Sequence, residues 1–173
     1  MLAYVFWHWP RTGADQDLYE SRLMAFHDML SAHPSPGFRG SAVYAVDGAP
    51  WTGTPPAYED WYLIDDFTAL GALNEAAVTG ERQGPHDEAA ALAEGGIAGV
   101  YRLVSGAAFP AEARAARWLS KPAGMKYADF LRKLEGVAGL WQRQMTLGPT
   151  TEFVVHGEGK ELGGVTVSLR RVY

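Results

Sequence analysis

Residues 6–30, FWHWPRTGADQDLYESRLMAFHDML, set two tryptophans around a histidine, then a turn at Pro10 and Gly13, then a stretch with helical spacing. Upstream, Leu2 to Trp9 is rich in β-branched and aromatic residues, which predicts a strand closed by Pro10. Its alternation places Ala3, Val5, Trp7 and Trp9 on one side and Leu2, Tyr4, Phe6 and His8 on the other, so both faces demand cover. Asp15 and Asp17 stand where N-capping residues belong. Tyr19, Leu23, Phe26 and Leu30 follow on one helical face, with His27 at its edge.

The pattern continues outward from this strand and helix. Phe38 to Val46 predicts a second strand, YEDWYLI (58–64) a third and GVYRLVSG (99–106) a fourth, while FTALGALNEAAV (67–78) and PHDEAAALAE (85–94) read as helices. The order to this point is β-α-β-β-α-β. Beyond GAAFPAEA (106–113), ARWLSKPAG reads as strand and turn, KYADFLRKLEGV as helix, and GLWQRQMTL, TEFVVHG and GVTVSLRRVY as strands. A Gly-rich turn, GEGKELGG (157–164), stands where the first half has its second helix.

The halves also match in detail. Trp9-Pro10 with Gly13 parallels Lys121-Pro122 with Gly124. Tyr19, Leu23 and Phe26 parallel Tyr127, Leu131 and Leu134, and Glu59 before Trp61 parallels Glu152 before Phe153. An internal repeat is the expectation that follows.

Composition narrows the classes of function. Six Trp, eight Tyr and seven Phe in 173 residues describe a chain that packs a large core. A net charge of −5, with no basic stripe, argues against a nucleic-acid partner. Without cysteine there are no disulfides, thiolate metal sites or cysteine nucleophiles. The apolar N-terminus lacks a basic region and a cleavage site, and no stretch reaches the roughly 20 apolar residues of a membrane span. No membrane partner and a cytoplasmic location are therefore expected. HExxH, P-loop and GxSxG signatures are missing, and no metal site is expected.

The β-α-β-β-α-β order is that of the ferredoxin-like module, an antiparallel sheet with helices on one face. YVFWHWP (4–10), LYESRLMAFHDML (18–30) and YEDWYLIDDFTALGALNEAAV (58–78) carry a resemblance to the dimeric α+β barrel superfamily. That superfamily includes small antibiotic-biosynthesis-type monooxygenases, EthD-like proteins and two-repeat chlorite-dismutase-like haem proteins. The resemblance implies an α+β fold of tandem ferredoxin-like modules, 1–108 and a shortened 109–173, with two sheets packed face to face as an intrachain dimeric α+β barrel. The second module lacks a helix, which leaves a face for a homodimer contact.

The candidate chemistry lies in the histidines. His8 and His27, on the first strand and helix, could meet between helix and sheet, and His86 beside Asp87 offers a polar entrance to a cavity; all three are acid/base candidates. Phe6, Tyr19, Trp61, Tyr62 and Arg102 are expected to shape the pocket. Arg82, close to the helix start at 85, is a candidate for strengthening an anion site there. Glu59 and Asp60 fall on opposite faces of a strand, so they are not a catalytic pair, and an ion pair with an arginine such as Arg102 is expected. The reading that follows is a protein binding a small apolar or aromatic molecule, as a cofactor-independent oxygenase or isomerase. Two alternatives stay open: a haem-binding protein, implied by the resemblance, and a non-catalytic structural or stress-related module.

Overall fold

The computed structural model describes residues 1–53, 56–109, 113–145, 148–157 and 163–173. Its strands are β1 (Leu2–Pro10), β2 (Phe38–Asp47), β3 (Ala57–Ile64), β4 (Ala93–Gly106), β5 (Ala115–Leu119), β6 (Gly139–Arg143), β7 (Phe153–His156) and β8 (Val165–Arg171). The helices are α1 (Gln16–Ala32), α2 (Phe67–Ala77), α3 (Gln83–Leu92) and α4 (Tyr127–Lys133), with a 3-10 turn at Gly80–Arg82. The expected Gly-rich turn at 157–164 falls mostly outside the described residues.

The eight strands form one closed antiparallel barrel in the order β1-β3-β2-β8-β5-β7-β6-β4. This overturns the expected tandem ferredoxin-like α+β architecture and, with it, the resemblance to the dimeric α+β barrel superfamily and the internal repeat. Two sheets stacked face to face would leave strand edges unpaired. Here Tyr44–Asp47 of β2 pair with Ser168–Arg171 of β8, and Tyr101–Gly106 of β4 pair with Gly139–Arg143 of β6, so the sheet runs through both halves of the chain. Closure removes every edge and turns the second face of the sheet into a filled interior. The parallels between the halves are those that any amphipathic strands and helices share.

Alternation then sorts the side chains. Ala3, Val5 and Trp7 of β1, Trp61 of β3, Trp118 of β5 and Trp141 of β6 belong to the interior, all of them fully buried. Ring centroids within this group lie 5.2–6.4 Å apart, most of the pairs tilted or edge to face. Glu59 is buried among them and accepts hydrogen bonds from the indoles of Trp7 at 2.6 Å and Trp61 at 2.5 Å. Burial pushes its carboxyl up to about 7, and although the two indole bonds pull the other way, Asp60's charge adds to the rise.

Helices cover the outside unevenly. α1 starts where Asp15 accepts a hydrogen bond from the Leu18 amide, and it buries Tyr19, Leu23, Phe26, His27 and Leu30 against the wall. α2 is capped by Asp66 and docks beside Gly37, where a Cβ would fall 2.5 Å from Ala69 Cβ. α4 buries Phe130 on the opposite side, against Leu119, Leu140 and Phe153. β4 begins earlier than its sequence suggests. Gly95 and Gly96 extend it because they leave room for the rings of Trp9 and Phe6, which a Cβ would strike. Among the described residues no helix is long and apolar enough to cross a membrane.

The buried carboxyl in the barrel has a measurable signature. Glu59 titrates near 4.5 when exposed and near 7 when folded, so the stability it contributes is complete below about 4.5 and is lost as pH rises through about 7. Urea unfolding from pH 4 to 9 should show the wild type losing stability across this window relative to Glu59→Gln. Parallel pH profiles for the two proteins would contradict this.

Candidate functional site

The outer face of β1 presents Tyr4, Phe6 and His8, and that of β3 presents Tyr58, Asp60 and Tyr62. Antiparallel pairing sets Phe6 opposite Asp60 and His8 opposite Tyr58. α1, α2 and α3 arch over this part of the wall and bound a partly open cavity of about 680 Å³. The size suits a small organic ligand. Leu70 and Leu73 of α2 and Phe26 of α1 supply apolar cover, and Phe67 and Val78 at the ends of α2 stay half exposed.

At one end of the cavity, polar groups converge on Asp60, which is 2% exposed. Oδ1 lies 3.0 Å from His8 Nε2, and Oδ2 lies 3.3 Å from His27 Nε2. The Tyr62 hydroxyl donates to Oδ2 at 2.9 Å. Burial alone would raise the Asp60 carboxyl. The imidazoles of His8 and His27 overcome it and hold the group well below the usual carboxylate range. The Tyr62 and Tyr19 phenols are shifted upward by burial and by Asp60's charge, so both keep their protons.

The carboxylate fixes the histidine tautomers. A neutral His8 facing Asp60 carries its proton on Nε2, so Nδ1 accepts from the Tyr19 hydroxyl, 2.6 Å away. By the same logic His27 Nδ1 accepts from the Ser41 hydroxyl at 2.7 Å. The result is a Tyr19–His8–Asp60 chain, with His27 and Ser41 bracing the carboxylate from behind. His8 is held flat between Tyr58, at 5.6 Å and 11°, and Phe6, at 5.2 Å and 24°.

The structure brings most of the sequence candidates together. Phe6, His8, Tyr19, Tyr62 and His86 line the cavity, while His27 is fully buried and reaches it through Asp60. His86 lies on α3, hydrogen-bonds Asp87 at 2.9 Å and packs on Phe26. Two candidates lie elsewhere. Trp61 points into the barrel, and Arg102 bonds Gln142 on β6 at 3.3 Å. The Arg82 guanidinium donates to the carbonyls of Ala76 and His33, tying α2 to the end of α1. Asp60, the centre of the cluster, is one of the two adjacent carboxylates for which the sequence suggested an arginine partner. Its signal was a carboxylate on the same face as Tyr58 and Tyr62 in a strand rich in large apolar residues, where burial demands strong partners. Among the described residues no group of three His, Asp or Glu side chains is arranged to hold a metal ion.

In comparisons with known proteins, no family model and no curated sequence matches the chain.

Removing the carboxylate strands two buried imidazoles and a phenol. Asp60→Ala should cost about 3 kcal/mol at pH 7 in urea unfolding. Asp60's contribution is complete above its unfolded value of about 3.9 and is lost as pH falls through the depressed folded value, so the gap between wild type and variant should narrow in acid. A gap that widened below pH 4 would contradict the assignment.

Proposed function

We propose that this protein binds a small apolar or aromatic molecule in the cavity under α1–α3 and catalyses a proton transfer on it, as an isomerase or a cofactor-independent oxygenase. The observation that carries the reading is the Tyr19–His8–Asp60 chain in the wall of a largely apolar cavity. A hydroxyl bonded to a histidine that stands in ion-pair contact with a carboxylate follows the general logic of an activated acid/base group. Tyr19 is the member whose hydroxyl meets the substrate. The substrate proton passes to the Tyr19 oxygen as the Tyr19 proton passes to His8 Nδ1. The resulting imidazolium lies beside Asp60, which stabilises it. Return of the proton to a different substrate atom completes an isomerisation, and attack of dioxygen on the deprotonated substrate begins an oxygenation. Tyr19, His8 and Asp60 are themselves buried, which strengthens the electrostatic coupling within the chain.

A haem-binding reading draws on one separate observation. His86 lines the cavity and pairs its Nδ1 with Asp87, an arrangement that orients a ligating imidazole. His86 would then be the residue that holds the iron.

The experiment is a panel of one- to three-ring aromatic ketones, scored by thermal shift and by NMR-detected exchange of their acidic C–H protons in D₂O. The expected result is a bound ketone whose exchange the wild type accelerates, with the rate falling about 100-fold in Tyr19→Phe and His8→Ala. Binding with unchanged exchange in both variants would remove the catalytic reading. A Soret shift with haemin, abolished in His86→Ala, would transfer support to the haem reading.

A further inference from the structure

Two buried polar atoms on the cavity wall lack hydrogen-bond partners: His8 Nε2 and Asp60 Oδ1. They lie 3.0 Å apart, near enough for an ion pair, yet they are not aligned to hydrogen-bond each other. The side chains are only 2% and 3% exposed, so bulk water does not solvate them freely. Every other polar atom of the pair is committed. His8 Nδ1 is taken by Tyr19, and Asp60 Oδ2 by Tyr62 and His27. Buried groups left in this state are uncommon and costly, and they mark a position at which a partner belongs.

The unused capacity is one donor, the His8 Nε2–H, beside one acceptor, the Asp60 carboxylate oxygen. A carbonyl oxygen would satisfy only His8, and an ammonium only Asp60. A carboxylate would face Asp60's negative charge. A hydroxyl satisfies both with a single atom, accepting from His8 and donating to Asp60. The surrounding wall defines what carries that hydroxyl. Tyr4 and Phe6 lie nearly parallel, 8° apart, with Tyr62 tilted 34° to Tyr4, and Leu70 and Leu73 close the opposite side. A lining in which aromatic rings and leucines predominate favours an apolar ring system as the carrier.

We infer that the His8 Nε2–Asp60 Oδ1 pair is a hydroxyl subsite and that the ligand class of the cavity is a hydroxylated aromatic ring system. The inference rests on the proposed small-molecule reading and narrows it. It also assigns His8 two duties, with Nδ1 turned to Tyr19 for proton transfer and Nε2 turned to the ligand for orientation. A ligand hydroxyl held there is fixed relative to the Tyr19 phenol through one imidazole ring.

The test uses three probes on the full chain by isothermal titration calorimetry: 2-naphthol, 2-methoxynaphthalene and naphthalene. The methoxy compound keeps the acceptor oxygen and loses the donor. The expected result is 2-naphthol binding at least about tenfold more tightly than either of the others, since a hydrogen bond to a charged group is realised only by the hydroxyl. In Asp60→Asn this preference should fall to about twofold or less. Should that variant not fold, the comparison within the wild type still decides. Equal binding of naphthol and naphthalene overturns the hydroxyl subsite and leaves the cavity reading in place. Equal binding of naphthol and methoxynaphthalene overturns the role of Asp60 as acceptor. Binding of none of the three overturns the subsite together with the reading beneath it.

Discussion

Closure of the barrel forces each strand to divide its side chains between a filled interior and an outer wall, and β3 shows how far the division reaches. Glu59 and Asp60 are neighbours in sequence and both are buried, yet one faces indoles and the other imidazoles. The inner carboxyl meets only neutral donors, and burial raises it. The outer one meets two histidines that hold it ionised. A strand in an open sheet would expose one of them to water and erase the contrast. The peptide alternation thus produces two opposite electrostatic environments within one residue step.

The outer environment depends on the helices as much as on the strand. Tyr19 is the first buried residue of α1, placed one turn beyond the Asp15 cap, and this brings its hydroxyl to His8. His27 lies two turns further along the same face and reaches Asp60 from the other side. The helix spacing that buries the apolar stripe therefore also brackets the carboxylate.

Much of this was legible in the sequence because it depends on local periodicity. The alternation of Leu2–Trp9 identified Tyr4, Phe6 and His8 as one face, and the α1 spacing placed His27 toward the sheet. The element boundaries of the first half agree closely, apart from β4, where Gly95 and Gly96 read as a loop until the rings of Phe6 and Trp9 are seen to require them; in the second half α4 stops at Lys133 and β6 at Arg143, each about four residues short of its sequence reading. Closure was not legible. Which strand edges meet depends on pairings between distant segments, such as Tyr44 with Arg171, and no local pattern encodes them. The same gap hid the role of Asp60. Its two histidine partners come from two other elements, so a rule that pairs carboxylates with arginines pointed to Arg102, which lies elsewhere on the wall. Trp61 was misplaced for the opposite reason: it looks like a pocket residue until the interior of a barrel exists to receive it.

The sorting of aromatic residues also divides the molecule optically. All six tryptophans belong to the barrel interior or pack against it, and the residues lining the cavity include tyrosine and phenylalanine but no tryptophan. Near-ultraviolet emission of the indoles therefore reports on the barrel alone, at short range and with strong mutual coupling among rings in contact. A chromophore in the cavity is separated from that array by the thickness of one β-sheet, a distance over which an excited indole readily passes energy to an acceptor. The barrel is in this sense an intrinsic light-collecting donor placed behind a site that has no indole of its own.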